Sequence, residues 1–188
     1  MIKLSRRAML AGLVATSALV SGCGFRLRGT GTLAGARYSS VVLQGLERIP
    51  ADLAVALRQQ LQGLGVVITD SLAEAEVLIQ LGAYQRQVSR TSFSTTGETT
   101  SELIKLTQAF SAQRIVDEVD IVKTQVTTLR DRQIDPSQLL AAARELEDIE
   151  RQMQQDLARQ LIDRVNRNYA RLPGLVETPN ANPQESAP

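Results

Sequence analysis

Apolar positions between residues 38 and 69 predict a strand, a helix and a second strand. Residues 38–44 form the first strand around Val41, and Pro50 opens the helix, since a proline at the first helical position loses no hydrogen bond. Gly63 and Gly65 end the helix, and residues 66–69 form the second strand. Four leucines share one face of this helix at helical spacing: Leu53, Leu57, Leu61 and Leu64.

Alternating apolar residues then predict three antiparallel strands joined as a meander. The third strand covers residues 76–88, with Val77, Ile79, Leu81 and Ala83 on one face. The fourth strand centres on residues 104–110 and the fifth on residues 119–129. Turns are expected at Gly97 and at Asp117-Glu118. The polar segment between the third and fourth strands is either an ordinary hairpin tip or a partner-binding loop.

The last element is a long amphipathic helix. Asp135 is expected to cap it, Pro136 to take the first helical position and Gln138 to complete a capping box. The helix should run for about 35 residues, or roughly 50 Å, with a supporting pair between Glu147 and Arg151. Its apolar stripe repeats every three or four residues and comprises Leu139, Ala143, Leu146, Ile149, Met153, Leu157, Leu161 and Val165.

These elements follow the order β-α-β-β-β-β-α and predict an α+β fold. We expect a two-layer sandwich in which two helices pack on one face of a mixed four- to five-stranded sheet. The other face of the sheet must then be polar or covered by a partner.

The N-terminal residues have the pattern of a lipoprotein signal. A basic segment with Lys3, Arg6 and Arg7 precedes an apolar run of about a dozen residues, too short to span a bilayer. Small residues then lead to Cys23, the expected site of lipidation. Gly24 after it favours the outer membrane over inner-membrane retention. Ser5-Arg6-Arg7 hints at twin-arginine export, so the Sec and twin-arginine routes both stay open.

The chain therefore divides into four segments. Residues 1–22 are the signal peptide, residues 23–36 a lipidated tether and residues 37–172 a periplasmic α/β domain. Residues 173–188 hold four of the six prolines among small and polar residues and are expected to be a disordered tail.

Composition argues against several classes of function. Of 21 basic residues three lie in the signal, which leaves 18 against 20 acidic residues and disfavours a nucleic-acid binder. The chain has no histidine and one cysteine, so Ser-His and Cys-His nucleophiles cannot form. We expect no enzyme activity, no metal and no cofactor. The carboxylates of residues 145–150 are expected to form a solvated helix face.

Arginines are the candidate binding residues, because several lie near the ends of predicted elements. If some converge at one end of the sheet, their guanidinium groups suit phosphate, which they bind in bidentate fashion. The set comprises Arg86, Arg90, Arg114, Arg130, Arg132 and Arg144.

The start of the processed chain reads Cys23-Gly24-Phe25-Arg26-Leu27-Arg28-Gly29. Together with the β-α-β order, the meander and the long last helix that follow, this start resembles the LPS-assembly lipoprotein family LptE. The segments 143–147 and 153–161 of the last helix add to the resemblance, which covers residues 23 to about 172. It implies a plug within the outer-membrane β-barrel LptD and direct binding of lipopolysaccharide. The family uses basic residues near the strand-three/strand-four hairpin and the last helix. The tip 94–98 has none here, so Arg90 and Arg144 are the nearest candidates.

A second hypothesis is an outer-membrane lipoprotein that activates a periplasmic enzyme such as a peptidoglycan synthase. Such an activator needs a long tether after the lipid. Only about a dozen residues separate Cys23 from the first predicted strand, which favours the plug. A hydrolase is disfavoured by the absence of histidine.

Overall fold

A computed structural model describes residues 35–135 and 137–172. The signal peptide, most of the tether and the tail expected from the sequence lie outside these residues. The described part contains five strands and two helices, namely β1 Ser40–Gln44, α1 Ala51–Gly63, β2 Val67–Ile68, β3 Val77–Phe93, β4 Thr99–Arg114, β5 Val119–Gln133 and α2 Leu139–Tyr169. Short 3-10 turns cover Leu46–Arg48 and Leu72–Glu74.

The strands form one mixed sheet in the order β2-β1-β3-β4-β5. β1 runs parallel to both β2 and β3, whereas β3, β4 and β5 are antiparallel neighbours. Both helices contribute to a single apolar core with the strands, and α2 packs along β4 and β5. The expected α+β fold, a mixed five-stranded sheet with two helices, is confirmed.

The core joins the leucine stripe of α1 to the second half of α2. Leu53, Leu57 and Leu61 are fully buried, as the helical spacing predicts. Across from them the sheet supplies its own buried apolar residues, including Val77 and Ile79. On α2 the fully buried residues are Met153, Leu157, Ala158, Leu161 and Val165.

The beginning of α2 differs from the prediction. Asp135 does not cap the helix, because its carboxylate accepts hydrogen bonds from Ser137 and Gln138 in the preceding turn, and α2 begins at Leu139 without a side-chain cap. Pro136 lies outside the described residues. The helix has 31 residues, about 46 Å.

The apolar stripe of α2 is also shorter than predicted. Leu139 is 70% exposed and Ala143 is exposed, so both placements in the buried face were wrong. The stripe begins with the half-buried Leu146. Arg151 pairs with Asp148 rather than with Glu147.

A β-bulge in β3 moves the side chains of its second half to the opposite face. Leu81 pairs with Phe110 and Tyr84 with Gln108, so two residues of β3, including Gly82, face one residue of β4. The buried amide of Gln108 donates to the carbonyls of Gly82 and Ala109 at 3.1 and 2.7 Å, which satisfies the backbone at the bulge.

Because of this bulge, the prediction that Ala83 shares the buried face of β3 with Leu81 is wrong. Leu81 is buried but Ala83 is exposed, and Tyr84 packs against the core instead. The even-numbered residues that follow lie on the side of the sheet that carries α2.

Candidate functional site

We call the end of the sheet that carries the turn 94–98 the hairpin end. β3 and β4 are longer than the sequence pattern predicted and pair as far as Phe93 and Thr99. The turn is held by backbone hydrogen bonds between Ser94 and Glu98 and between Gly97 and Ser94, with Gly97 at a φ of 85°. β3 has 17 residues, so at about 3.3 Å per residue the hairpin end lies roughly 55 Å from the start of the strand.

A row of three charged residues crosses the sheet near the hairpin end. Arg90 of β3 lies directly opposite Glu102 of β4, and Glu102 lies directly opposite Arg132 of β5. All three side chains belong to the side of the sheet that carries α2, since Arg132 contacts that helix. With strands about 4.8 Å apart, Arg90 and Arg132 are separated by roughly 10 Å of backbone.

Arg132 connects this row to the first turns of α2. Its side chain is only 7% exposed; one guanidinium nitrogen donates to the Ala142 carbonyl at 2.5 Å and the other lies 3.5 Å from a carboxylate oxygen of Glu102. The guanidinium group of Arg132 is therefore occupied by partners within the protein. Its contact with Ala142 also places Arg144, two residues later, at the hairpin end.

Two further arginines on this side pair with acidic residues of α2. The Nε of Arg86 donates to a Glu150 carboxylate oxygen at 2.7 Å, and this hydrogen bond raises the pKa of Arg86 above its usual range. Arg130 pairs with Asp156 at 3.0 Å. Neither guanidinium group is free to bind an external phosphate without losing its carboxylate partner.

Arg114 lies at the other end of the sheet. It is hydrogen-bonded to Asp117, and this bond holds the pKa of the Asp117 carboxyl below its usual range. The structure thus does not bring all six arginines of the sequence analysis together.

Arg90 and Arg144 differ from the paired arginines. Both are exposed, and within residues 35–135 and 137–172 neither makes an ion pair. The row across the sheet and the Arg132–Ala142 contact place the two residues at the same end of the sheet. The candidate site is therefore a surface with two exposed arginines that make no ion pair among the described residues, rather than a closed pocket.

The face of the sheet without helices is polar, one of the two states expected from the sequence. Gln44, Gln80, Ser111 and Lys123 form a row across β1, β3, β4 and β5. Hydrogen bonds of 3.4 Å join Gln80 to Gln44 and Ser111 to Gln80. An open groove of about 770 Å³ lies over this row.

Two further features concern the part of the chain that the structure describes. Those residues contain no group of three acidic, histidine or cysteine side chains that could hold a metal ion. Among them, no helix combines the length and the apolar character needed to cross a bilayer.

Two features of this region were missed by the sequence reasoning. The acidic partners of Arg86 and Arg130 lie 64 and 26 residues away along the chain, so no local pattern indicates them. The bulge that turns Arg86 and Arg90 toward α2 has a signal in the sequence, because a glycine inside a strand pattern is typical of a bulge.

The fold resembles solved lipoprotein structures. An uncharacterized lipoprotein B from Nitrosomonas europaea has a TM-score of 0.65 and 18% identity, covering 79% of this chain and 94% of that chain. The rare lipoprotein B from Shewanella oneidensis has a TM-score of 0.56 and 21% identity, covering 70% of this chain and 94% of that chain. A minor lipoprotein from Acinetobacter baumannii has a TM-score of 0.55 and 21% identity, covering 70% of this chain and 93% of that chain. At these identities the likeness shows the fold alone.

Sequence comparisons complete the assignment. A comparison with curated protein sequences found no significant match. The family model described as LptE, lipopolysaccharide-assembly, matches residues 37–165, which include every strand and most of α2. The chain therefore belongs to the LptE family of lipopolysaccharide-assembly proteins.

Proposed function

We propose that this protein is an outer-membrane lipoprotein, anchored through Cys23, that plugs and stabilises an LptD barrel and assists insertion of lipopolysaccharide into the outer leaflet. Family membership supports the role in lipopolysaccharide assembly. The role is one of binding and scaffolding, without catalysis. The observation that supports direct lipid binding is the pair Arg90 and Arg144, both exposed at the hairpin end and neither engaged in an ion pair among the described residues.

The chemistry of the proposed contact is that of guanidinium with phosphate. Lipid A presents phosphates beside its acyl chains, and arginine binds phosphate oxygens through two parallel N–H groups. Arg90 and Arg144 are exposed, so each contact contributes at most about 1 kcal/mol while it stays hydrated. Screening by salt follows from the same exposure.

The test is a titration of the purified full-length chain with lipopolysaccharide. Replacing both Arg90 and Arg144 by Gln should weaken binding roughly tenfold, about 1.4 kcal/mol. Glutamine is preferable to glutamate at residue 90, because Glu102 lies directly opposite and like charges there destabilise a sheet. Wild-type affinity should also fall as salt is added.

The matched control replaces Arg58 and Arg171 by Gln. Both are exposed, and the control removes the same charge from other parts of the domain. It should bind lipopolysaccharide like the wild type. Equal affinity of the Arg90/Arg144 variant and the control would reject these two residues, and no binding by the wild type would remove direct lipid binding.

The barrel partner requires a separate experiment. A tagged chain purified from outer membranes should bring LptD with it, identified by mass spectrometry, and the complex should persist at high salt because a plug buries a large surface. Purification of the chain without LptD would contradict the plug.

A further inference from the structure

Two adjacent leucines stand in solvent at the start of α2. Leu139 is 70% exposed and Leu140 is 71% exposed. Single exposed apolar residues are common on protein surfaces, but two adjacent ones at a helix start form a small apolar surface. The fold does not require them, because the buried stripe of α2 begins several residues later, with Leu146 half-buried and Met153 fully buried.

One cationic residue of α2, Arg144, lies close to these leucines. Arg144 follows Leu140 by four residues, so the two side chains share one face of α2. The first turn of α2 contains no acidic residue and has no side-chain cap, so its unpaired N–H groups and the positive end of the helix dipole remain available.

Four acidic residues lie near the start of α2, namely Asp135, Glu145, Glu147 and Asp148, the last of which pairs with Arg151. The Asp135 carboxylate accepts hydrogen bonds from the backbone and hydroxyl of Ser137 at 2.9 and 2.7 Å and from Gln138 at 3.1 Å. Glu145 is exposed and lies about 100° around the helix from Arg144. Glu147 is also exposed and lies seven residues after Leu140, so it shares the face of Leu140 and Arg144 one turn further along. The first turns of this face, with Leu140 and Arg144, are therefore apolar and cationic, and an acidic residue follows them.

The leucines are held in a fixed place relative to the sheet. The Ala142 carbonyl, two residues after Leu140, accepts a hydrogen bond from the buried Arg132, and Arg132 also pairs with Glu102. Since Arg90 lies directly opposite Glu102, the leucines, Arg144 and Arg90 belong to the same end of the domain.

We propose that Leu139 and Leu140 bind acyl chains of the lipopolysaccharide whose phosphates contact Arg144. This inference rests on the proposed function, which assigns lipopolysaccharide to the hairpin end. A polyacylated phospholipid-like ligand needs an apolar surface beside a cation, and the start of α2 supplies both. Transfer of acyl carbon from water onto the leucines provides the affinity, and the cation sets the position of the headgroup.

The experiment compares two ligands on the full-length chain, intact lipopolysaccharide and chemically deacylated lipopolysaccharide that keeps its phosphates. Wild type should bind the intact ligand about tenfold more tightly than the deacylated one. Replacing Leu139 and Leu140 by Gln should remove most of that preference and leave affinity for the deacylated ligand unchanged. Glutamine keeps a similar helix propensity, so α2 should stay folded.

The control replaces two exposed apolar residues elsewhere, Leu72 at 46% and Val116 at 85% exposure, by Gln. It should keep the wild-type preference, and thermal unfolding should show that both double variants are folded. The single variant Leu140→Gln should give an intermediate preference. If the leucine variant keeps the full acyl preference, the inference is overturned while the proposed function stands.

Two other outcomes separate the hypotheses. If wild type binds neither ligand, the proposed lipid binding fails and the inference fails with it. If the leucine variant binds both ligands normally but no longer purifies with LptD, the leucines contact the barrel, which overturns the acyl-chain assignment.

Discussion

At the level of single residues, the arginines of the hairpin end differ because of what each one faces. Arg132 is 7% exposed at its side chain and serves the internal structure, whereas Arg130, two positions earlier on the same side, is 51% exposed and pairs with Asp156. Breaking a buried charge pair costs far more than breaking an exposed one. Only cations without such partners are free to contribute binding energy to an external ligand.

A second group of residues joins three elements at the other end of the domain. The Tyr169 hydroxyl donates to one carboxylate oxygen of Glu76, and the backbone and hydroxyl of Ser39 donate to the other at 2.9 and 3.2 Å. The ring of Tyr38 meets that of Tyr169 edge-on, with centroids 5.5 Å apart. These contacts connect the last turn of α2 to the beginnings of β1 and β3.

Tyr169 predicts a loss of stability at alkaline pH. Burial, with a smaller effect of the hydrogen bond to Glu76, raises the pKa of Tyr169 to about 12. The unfolded chain has the ordinary value near 10, so this contribution is complete below about pH 10 and is lost as pH rises toward 12. When the pH is raised from 9 to 11.5, the free energy of unfolding should fall in both proteins. The fall should be smaller in Tyr169→Phe than in wild type, by on the order of 1 kcal/mol.

Urea unfolding of both proteins at the two pH values measures this difference. The expected difference is smaller than the whole pKa shift of Tyr169 would give, because Glu76, which accepts the hydrogen bond of the Tyr169 hydroxyl, is partly exposed to solvent. Equal losses in the two proteins would mean that Tyr169 does not titrate with folding.

Among the elements, α2 should show a sharp contrast between its two halves. Leu157 is fully buried, so Leu157→Ala should lower the free energy of unfolding by about 2–5 kcal/mol. The control Leu140→Ala removes the same atoms from a side chain that is 71% exposed, and its effect should stay within about 0.5 kcal/mol. Both are measured by urea unfolding. A small effect at Leu157 would show that α2 does not pack on the sheet in solution.

Element identity was predictable here because the core imposes a period on the sequence. The leucines of α1 and the stripe of α2 from Met153 onward are buried at the positions that a 3.6-residue period gives. Strand ends were not predictable in the same way. Ser89 and Arg90 still pair with Leu103 and Glu102, because backbone hydrogen bonds extend a ladder without apolar side chains.

The site was only partly predictable for a related reason. Arg90 and Arg144 were selected from the sequence by their positions near element ends and by family resemblance. What separates them from the other candidate arginines is that those make ion pairs, such as Arg86 with Glu150, which α2 brings together across 64 residues. The placement of Leu139 in the buried stripe was wrong because helical periodicity continues to that residue, although the sheet beneath this part of α2 presents charged residues such as Arg132.

For the whole molecule, the chain enters the domain at the end opposite the proposed lipid site. Ser39 contacts Glu76 just before β3, whereas Arg90 lies 13 residues after Val77, roughly 43 Å along the strand. In the proposed function, an anchor on Cys23 therefore attaches to the domain at one end and lipopolysaccharide binds at the other. This arrangement separates membrane attachment from ligand binding within one small domain.

The anchoring proposal predicts the behaviour of a single substitution. Cys23→Ser removes the only thiol of the chain, so the lipid cannot be attached and the signal cannot be cut by the lipoprotein pathway. Wild type should carry the added mass of its acyl chains and sediment with membranes, since each buried CH₂ contributes about 0.8 kcal/mol. The variant should lack that mass and keep residues before Cys23.

Ser21→Ala, which retains a small residue before the cysteine, is the control and should be processed normally. Mass spectrometry of the purified chains decides the matter: equal masses for wild type and Cys23→Ser, apart from the replaced atom and without lipid on either, would contradict the anchor while leaving the folded domain and its family assignment unaffected.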